Sequence, residues 1–429
     1  MYGIDFGTSN TVATYRPNSR AGGAAGRSAL LDLGEGPVLP SLLYFERDRR
    51  PSIGAEAMAD YAKALERYHG EANLYGKFRF FQGLKLALKD EYFAGTRLFG
   101  ELVPPEALVG IFLREVRGRA DAAVVAAGEA PSPRLVLGRP VVLSPDAQTD
   151  RLLEERFRAA ALRAGFEEVS FVSEPVAAAT GLLGTMRGLV LVFDFGGGTL
   201  DITVARLSSD SIEILASEGA DLGGFLLNED VSTARIVGHF GAVGKWRSMS
   251  GRELKMPSWI TRQVSSFHAL PLADIAKTRS AIKDLIYDAR KEDKPKLRGL
   301  SDFLDRNLSF SLFGEIDAAK IALSSRDSTE IAFAVPPHLS FRERLTRSEF
   351  EALAAPRVAA GRALVEAALA RAGAEAGDIE RVVRVGGSCR IPAFVRMLEG
   401  LFPGRVQEGA VFTSIASGLV EAADKGFAA

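Results

Sequence analysis

The chain has 429 residues, more than one ordinary domain needs, which favours two or three domains. Hydrophobic residues make up 47% and charged residues 25% of it, the balance of a globular protein with a sizeable core, which excludes disorder as the dominant state. Lys and Arg number 53 against 54 Asp and Glu, a net charge of -1, so no charge excess predicts binding to nucleic acid or an anionic membrane. The single cysteine, the absence of a long apolar run and the absence of a signal-like start predict a cytoplasmic protein.

The first notable feature in chain order is a motif that occurs twice. The segment IDFGTSNTVATYR begins at Ile4, and VFDFGGGTLDITVARL begins at Val192. Each segment has an apolar lead, Asp-Phe-Gly, a turn of small residues and a second strand-like stretch. Each therefore predicts a β-hairpin, and two such hairpins predict a duplicated α/β architecture with a cleft between its halves.

The turns of the two hairpins have the composition of phosphate-binding loops. Glycine lets backbone N–H groups approach a phosphate without obstruction by a Cβ atom. The predicted loop residues are Gly7, Thr8, Ser9, Asn10, Gly196, Gly197, Gly198 and Thr199. Asp5 and Asp194, at the ends of the preceding strands, can hold Mg²⁺ directly or through water, and Asp201 follows closely. The alternative is two ordinary tight turns, but the matching copies favour a phosphate site.

The intervening and following segments predict αβ order interrupted by two insertions. A strand over 134–142, a helix over 150–164, a strand over 169–172 and a helix over 175–183 belong to the first half. The first predicted lobe is 1–185, with an insertion at about 34–100. The second is 186–429, with a mostly helical insertion at about 223–318.

The C-terminal part predicts a return to αβ order. Thr346 and Glu349 form a capping box that opens a helix, which Pro356 is expected to interrupt or bend. A strand over 382–385, a glycine turn, a helix from about Pro392 and a final helix over 414–423 follow. The glycine turn, Gly386-Gly387-Ser388, offers a surface on which a flat ring can lie, but alone it is better explained as an ordinary βα turn.

Together these motifs resemble those of the heat-shock protein 70 (DnaK) chaperones, within the actin and sugar-kinase superfamily. IDFGTSN and VFDFGGGTLDIT are similar to the two phosphate loops, VGGSCRIP to the adenosine motif, and SEPVAAA from Ser173 to a connecting segment. The resemblance spans essentially the whole chain, and GRPV at Gly138 resembles the shorter YegD-like branch. It implies a duplicated actin-like (ribonuclease H-like) ATPase fold, with two lobes around a nucleotide cleft. The family's peptide-binding domain has no counterpart in this sequence.

The resemblance also implies roles for individual residues. Thr8, Ser9 and Asn10 would contact the β- and γ-phosphates, and Asp5 and Asp194 would order the shell around Mg²⁺. The implied catalytic residues are Lys85, Glu174, Asp194, Thr199 and Asp201, with K⁺ as a further candidate ion. Lys77 is the alternative to Lys85 as the catalytic lysine. The other implied nucleotide-binding residues are Gly7, Gly196, Gly197, Gly198, Gly223, Gly224, Asp317, Lys320, Ser324, Gly386, Gly387, Ser388 and Arg390.

Four positions depart from the family pattern. Ile321 stands where many members have an Arg that stacks on adenine, and Asp317 stands where they have Glu. Phe412 and Asn228 each stand where an Asp is usual. These departures bear on nucleotide affinity and on the response to exchange factors, not on the phosphate chemistry.

The function expected from the sequence is a slow Mg²⁺-dependent ATPase that binds ATP and ADP. It would act as a molecular chaperone or chaperone-like switch that consists of the nucleotide-binding domain only. Co-chaperones or client proteins are the expected partners, and neither nucleic acid nor a membrane is expected. The alternatives are a non-catalytic nucleotide-responsive scaffold and a small-molecule kinase of the same superfamily.

Overall fold

In the computed structural model, part of the chain is described residue by residue. The described ranges are 1–17, 28–71, 73–144, 146–182, 186–208, 211–242, 246–247, 251, 253–266, 275–409 and 413–427. Phe412, one of the departures from the family pattern, lies outside them. No helix within these ranges has the length and apolarity needed to cross a membrane.

The strands alternate with helices along most of the chain. The strands are β1 (Tyr2–Phe6), β2 (Asn10–Tyr15), β3 (Ala29–Leu30), β4 (Leu39–Pro40), β5 (Leu43–Glu46), β6 (Ser52–Ile53), β7 (Phe78–Phe81), β8 (Thr96–Leu98), β9 (Glu101–Val103), β10 (Arg134–Arg139), β11 (Glu168–Ser173), β12 (Gly188–Phe195), β13 (Leu200–Leu207), β14 (Ile212–Ala220), β15 (Trp246–Arg247), β16 (Glu253–Leu254), β17 (Ser328–Val335), β18 (Leu339–Thr346), β19 (Arg381–Val385) and β20 (Val406–Glu408). The helices are α1 (Gly54–Arg67), α2 (Leu84–Lys89), α3 (Pro105–Ala126), α4 (Ala147–Arg163), α5 (Glu174–Gly181), α6 (Gly224–Val231), α7 (Ser258–Ser265), α8 (Ile275–Asp288), α9 (Lys294–Asp305), α10 (Ser309–Ala322), α11 (Arg347–Ala372), α12 (Pro392–Leu401) and α13 (Ser414–Asp424).

Two sheets with the same topology confirm the duplicated α/β fold. The first runs β11-β10-β1-β2-β3, with β4 also paired to β2, and the second runs β14-β13-β12-β19-β20. In each sheet the central strand, β1 or β12, begins an antiparallel run of three strands on one side. On its other side two strands run parallel to it. Both predicted hairpins are present, as β1–β2 and β12–β13. The Asp-Phe-Gly segment therefore occupies the same place, the end of a central strand, in both halves.

Two short helices fill the space between the sheets. α5 packs against β12, β13 and β14 of the second sheet, and α13 packs against α5 and against β1 and β10 of the first. Small residues such as Ala177 and Ala178 form the buried face of α5, so the helices approach closely. The final helix, which the sequence assigns to the second lobe, therefore joins the two sheets through one apolar core.

The two predicted insertions contact each other. β5, β6 and β7 form a small sheet under α1 within the first predicted insertion, and α6 to α9 and most of α10 lie within the second. The Tyr61 hydroxyl on α1 donates to the carbonyl of Asn307, 2.9 Å away, and Phe80 packs on Phe310 with ring centroids 4.5 Å apart. The two insertions therefore touch across the cleft.

The long helix α11 differs from one expectation. Its capping box is present, but the helix continues through Pro356 to Ala372, so an interruption there is wrong. Both Pro356 and Ala352, whose carbonyl loses its helical partner, face solvent. Water can satisfy that carbonyl, which removes much of the usual cost of an internal proline.

The close packing of α13 on α5 makes a stability prediction. A Cβ atom at Gly418 would lie 1.8 Å from the carbonyl oxygen of Ala177, whereas one at Gly400 in α12 would meet nothing within 4 Å. We expect Gly418→Ala to lower the free energy of unfolding by about 1–3 kcal/mol through overpacking. The control Gly400→Ala should leave it unchanged or raise it by up to about 1 kcal/mol. Urea unfolding measures both, and equal midpoints for Gly418→Ala and wild type would contradict the packing.

Candidate functional site

A cavity of about 390 Å³ lies between the two lobes, with the two glycine turns in its walls. Most residues that the sequence assigns to a nucleotide site line it. They are Asp5, Gly7, Thr8, Ser9, Asn10, Lys85, Glu174, Asp194, Gly196, Gly197, Gly198, Thr199, Asp317, Lys320, Ser324, Gly386, Gly387, Ser388 and Arg390. Asp201, Gly223 and Gly224 do not line it. Residues 380 positions apart in the sequence thus share one cavity because both sheets direct their strand ends toward it.

The two turns have the same backbone geometry. The Gly7 N–H donates to the Asn10 carbonyl at 2.9 Å, and the Gly196 N–H donates to the Thr199 carbonyl at 3.0 Å. A Cβ atom on Gly197 would lie 2.6 Å from the Ser9 hydroxyl oxygen. The turns therefore face each other at contact distance, which requires glycine in the second turn.

Gly223 and Gly224 support the second turn from behind. The Gly224 N–H donates to the carbonyl of Gly196 at 3.0 Å, and the Ser388 hydroxyl donates to the same carbonyl at 2.9 Å. A Cβ atom on Gly223 would lie 2.1 Å from the carbonyl oxygen of Gly197. These two glycines thus hold the backbone of the second turn in place.

A buried ion pair lies at one end of the cavity. Lys85, on α2, is 4% exposed, and its Nζ atom contacts Oε1 of Glu174, the first residue of α5. Burial lowers the pKa of Lys85, but the attraction of Glu174 and Asp5 outweighs it, so the pKa is raised and the amine stays charged. Lys77, the alternative lysine, pairs with Glu71 at 2.9 Å on the surface, where its side chain is 46% exposed. The structure therefore brings Lys85 to the cavity and leaves Lys77 outside it.

Carboxylates outnumber the lysine at this end. Burial, and next the charge of Glu174, raise the pKa of Asp5 to about 7, with Lys85 acting in the opposite direction. The same two causes raise the pKa of Asp201 to about 7 and that of Asp194 well above its ordinary value. Several buried acidic groups around Lys85 create a preference for added positive charge.

The arrangement fits a hydrated cation. Within the described ranges no three His, Cys, Asp or Glu side chains converge closely enough to ligate a metal ion directly. Asp5 and Asp194 line the cavity beside the phosphate loops, so they could hold Mg²⁺ through its water molecules while phosphate oxygens supply direct ligands. Asp201 lies behind them, with one carboxylate oxygen accepting from the Val141 N–H at 2.9 Å.

The opposite end of the cavity has polar groups on α10 and an apolar border. Lys320 pairs with Asp317 at 2.6 Å and donates to the Gly224 carbonyl at 3.3 Å. The amide nitrogen of Asn228 donates to Asp317 at 3.0 Å, and Lys320 and Asn228 hold the pKa of Asp317 below its usual value despite burial, which acts to raise it. Arg390 pairs with Glu408 at 2.5 Å.

Four apolar lining residues were not identified from the sequence. They are Val12, Phe225, Ile391 and Ile415. Phe225 directly follows Gly223-Gly224, and Ile391 lies within VGGSCRIP, so membership of these glycine motifs is the signal that could have identified them. Ile415 comes from the final helix, and no local motif marks it.

Comparison with known proteins agrees with this geometry. The family model described as Hsp70 protein matches residues 150–241 and 295–411. A chaperone protein HscA homolog of Azotobacter vinelandii is 29% identical over 418 residues, which cover 93% of this chain and 53% of the relative. A chaperone protein DnaK of Thermus thermophilus is 29% identical over 418 residues, covering 94% and 57% respectively.

A chaperone protein HscA of Escherichia coli is 28% identical over 413 residues, which cover 94% of this chain and 54% of that protein. The chain thus spans about half the length of the curated relatives it matches. The motif order, the duplicated fold and these matches together support an Hsp70-family protein.

Proposed function

We propose that the two lobes bind ATP and ADP with Mg²⁺ in the central cavity and hydrolyse ATP slowly, as a chaperone-like switch. One observation carries the proposal: the buried Lys85–Glu174 pair and its neighbouring carboxylates lie at the loop end of a cavity enclosed by two matching glycine turns. Client proteins, co-chaperones, a cytoplasmic location and membership of the YegD-like branch stay predictions.

The phosphate groups would lie between the two turns. Each turn offers backbone N–H groups, and Thr8, Ser9 and Thr199 add hydroxyl donors along the cavity wall. Because one turn belongs to each lobe, a triphosphate would contact both lobes at once. Loss of its terminal phosphate would remove contacts that join them, which is the physical basis of a switch.

The acidic groups account for a metal requirement. A triphosphate alone would add negative charge to Asp5, Asp194 and Glu174, which is unfavourable in a buried site. Mg²⁺ supplies the balancing charge and polarises the phosphate oxygens. Asp5 and Asp194 would hold its water molecules. Asp201, which does not line the cavity, would contribute to the negative electrostatic potential of the site without contacting the ion.

Lys85 and Glu174 supply the residue chemistry. A charged, immobilised amine next to the terminal phosphate stabilises the negative charge that develops during transfer. Glu174, held by that amine, can orient a water molecule and accept its proton. Asp5, Lys85 and Glu174 come from different elements of one lobe, so their arrangement is fixed by the first sheet and its packing.

The role of Asp194 can be tested by removing its charge. We expect Mg²⁺ to raise the affinity of wild type for ATP. In Asp194→Asn this gain should be at least about tenfold smaller, because less negative charge remains to hold the hydrated ion. Asp327→Asn is a matched control, since the side chain of Asp327 is 97% exposed. Calorimetric titration with ATP, with and without Mg²⁺, makes the comparison. The same Mg²⁺ dependence in Asp194→Asn and wild type would remove this carboxylate from the metal site.

The two candidate lysines provide a paired test of catalysis. Lys85→Ala should slow phosphate release by ~10²–10³, the effect of losing one group that stabilises transition-state charge, while most ADP affinity remains. Lys77→Ala should keep the wild-type rate because Lys77 lies on the surface. Single-turnover phosphate release and ADP titration separate turnover from binding. The reverse pattern would show that the wrong lysine has been assigned.

The base end can be tested at Ile321, which lines the cavity and is 63% exposed. Ile321→Arg should tighten ADP binding by roughly threefold to thirtyfold, the equivalent of ~0.5–2 kcal/mol from a guanidinium plane on the adenine ring. Ile321→Met, with a long but uncharged side chain, is the control. If fluorescence titration gives all three proteins one ADP affinity, the base does not lie against this position.

A further inference from the structure

A second cavity, of about 370 Å³, adjoins the nucleotide cavity and also lies between the lobes. The first lobe contributes Leu42 and Gln82 to its wall, and the second contributes Phe310 and Gly314. Leu42, Gln82 and Phe310 line this cavity and not the nucleotide cavity. The residues that line both are Thr8, Ser9, Phe225, Asp317 and Ile321. Its volume falls within the range of small-molecule binding sites.

The walls of this cavity are mostly aromatic and aliphatic. Phe225, Phe310 and Phe313 line it from the second lobe, and Leu42 lines it from the first. Phe310 is held by Tyr61, whose ring lies edge-on to it at 5.4 Å between centroids. A cavity with such walls favours a ring that can pack against phenylalanine faces.

Asn228 gives the cavity a specific polar requirement. The residue is 2% exposed, and its amide nitrogen donates to Asp317 at 3.0 Å. An ionised carboxylate only accepts hydrogen bonds, so this contact fixes which end of the amide faces Asp317. Oδ1 of Asn228 is left buried without a partner among the described residues. An unpaired buried acceptor is costly, and a ligand that donates to it would remove that cost.

The first lobe has a complementary group. Nε2 of Gln82 is likewise buried and has no hydrogen-bond partner in the described part of the chain. Gln82 and Asn228 both line the cavity, one from each lobe, and each has a buried polar atom without a partner among the described residues. A ligand with one donor and one acceptor could satisfy both side chains.

The charge balance of the cavity excludes an anion. No Lys or Arg of the described residues lines it, and its one carboxylate, Asp317, already pairs with Lys320 at 2.6 Å. An anionic ligand would meet no balancing charge, and a cation would compete with Lys320 for Asp317. The favoured occupant is uncharged.

We propose that this cavity is a second ligand site, distinct from the nucleotide site, for an uncharged heteroaromatic molecule. Its ring packs among Phe225, Phe310 and Phe313, and its N–H or O–H donates to Oδ1 of Asn228. An acceptor on the same molecule receives the Gln82 amide. Because the walls come from both lobes, the bound ligand contacts both lobes beside the nucleotide and stabilises their relative position.

Two probes and two variants test this site. The probes are 2-quinolone, which has a ring N–H and a carbonyl, and N-methyl-2-quinolone, which cannot donate. Gly314→Leu fills the cavity from α10, where a Cβ atom would meet nothing within 4 Å. Gly118→Leu in α3 is the matched control, because it too would meet nothing within 4 Å and does not line this cavity.

Ligand-observed NMR titrations are carried out on the full chain without nucleotide and with saturating Mg²⁺–ADP. We expect 2-quinolone to bind wild type and Gly118→Leu in both conditions, N-methylation to weaken it at least about tenfold, and Gly314→Leu to abolish binding. Displacement by ADP, equal affinity of the two probes, binding to Gly314→Leu or no binding to wild type would each overturn the proposal. The titrations without nucleotide decide this even if ADP does not bind, so failure of the proposed ATPase function would be recognised separately.

Discussion

A group of buried acidic side chains around Lys85 is the constraint on which the site depends. Asp5 and Asp194 end equivalent strands of the two sheets, and Glu174 begins a helix that packs between them. Burial, and next the charge of Glu174, raise the pKa values of both aspartates, and Lys85 opposes the increase only in part. A fold that keeps these groups together has a site that becomes more stable when a cation and its ligand arrive.

The duplication explains how such a group can be assembled. The same order of three antiparallel and two parallel strands occurs in each half, so each half places an Asp-Phe-Gly segment and a glycine turn at its inner edge. α5 and α13 then hold the two edges in register through small residues that admit close packing. The close approach of Gly197 to Ser9 requires that packing, since it depends on the distance between the sheets.

Much of this arrangement could be predicted because it is encoded locally. The Asp-Phe-Gly turns, the capping box of α11 and the glycine motif after β19 each combine residues with strong backbone preferences. The positions that sequence reasoning missed depend on distant packing. Ile415 reaches the cavity only because α13 returns between the sheets, and α11 continues through Pro356 because that turn faces water. Lys85 could be separated from Lys77 only by the path of the first insertion.

Two of the departures from the family pattern, Asn228 and Ile321, have defined surroundings in the structure. Asn228, where an Asp is usual, donates from its amide nitrogen to Asp317, and its amide oxygen is buried without a partner among the described residues. Ile321 borders both cavities without a charge of its own. The end of the cleft beside α10 thus combines apolar walls with a few oriented polar groups, whereas the end beside the glycine turns holds the buried charged groups.

The central claim is that one nucleotide contacts both glycine turns at the same time. Hydrogen–deuterium exchange of the backbone amides in 7–10 and 196–199, with and without Mg²⁺–ADP, measures this most directly. Our account predicts slower exchange in both segments when the nucleotide binds, with little change in the exposed residues 127–130 between α3 and β10. Protection of only one segment, or of neither, would contradict it.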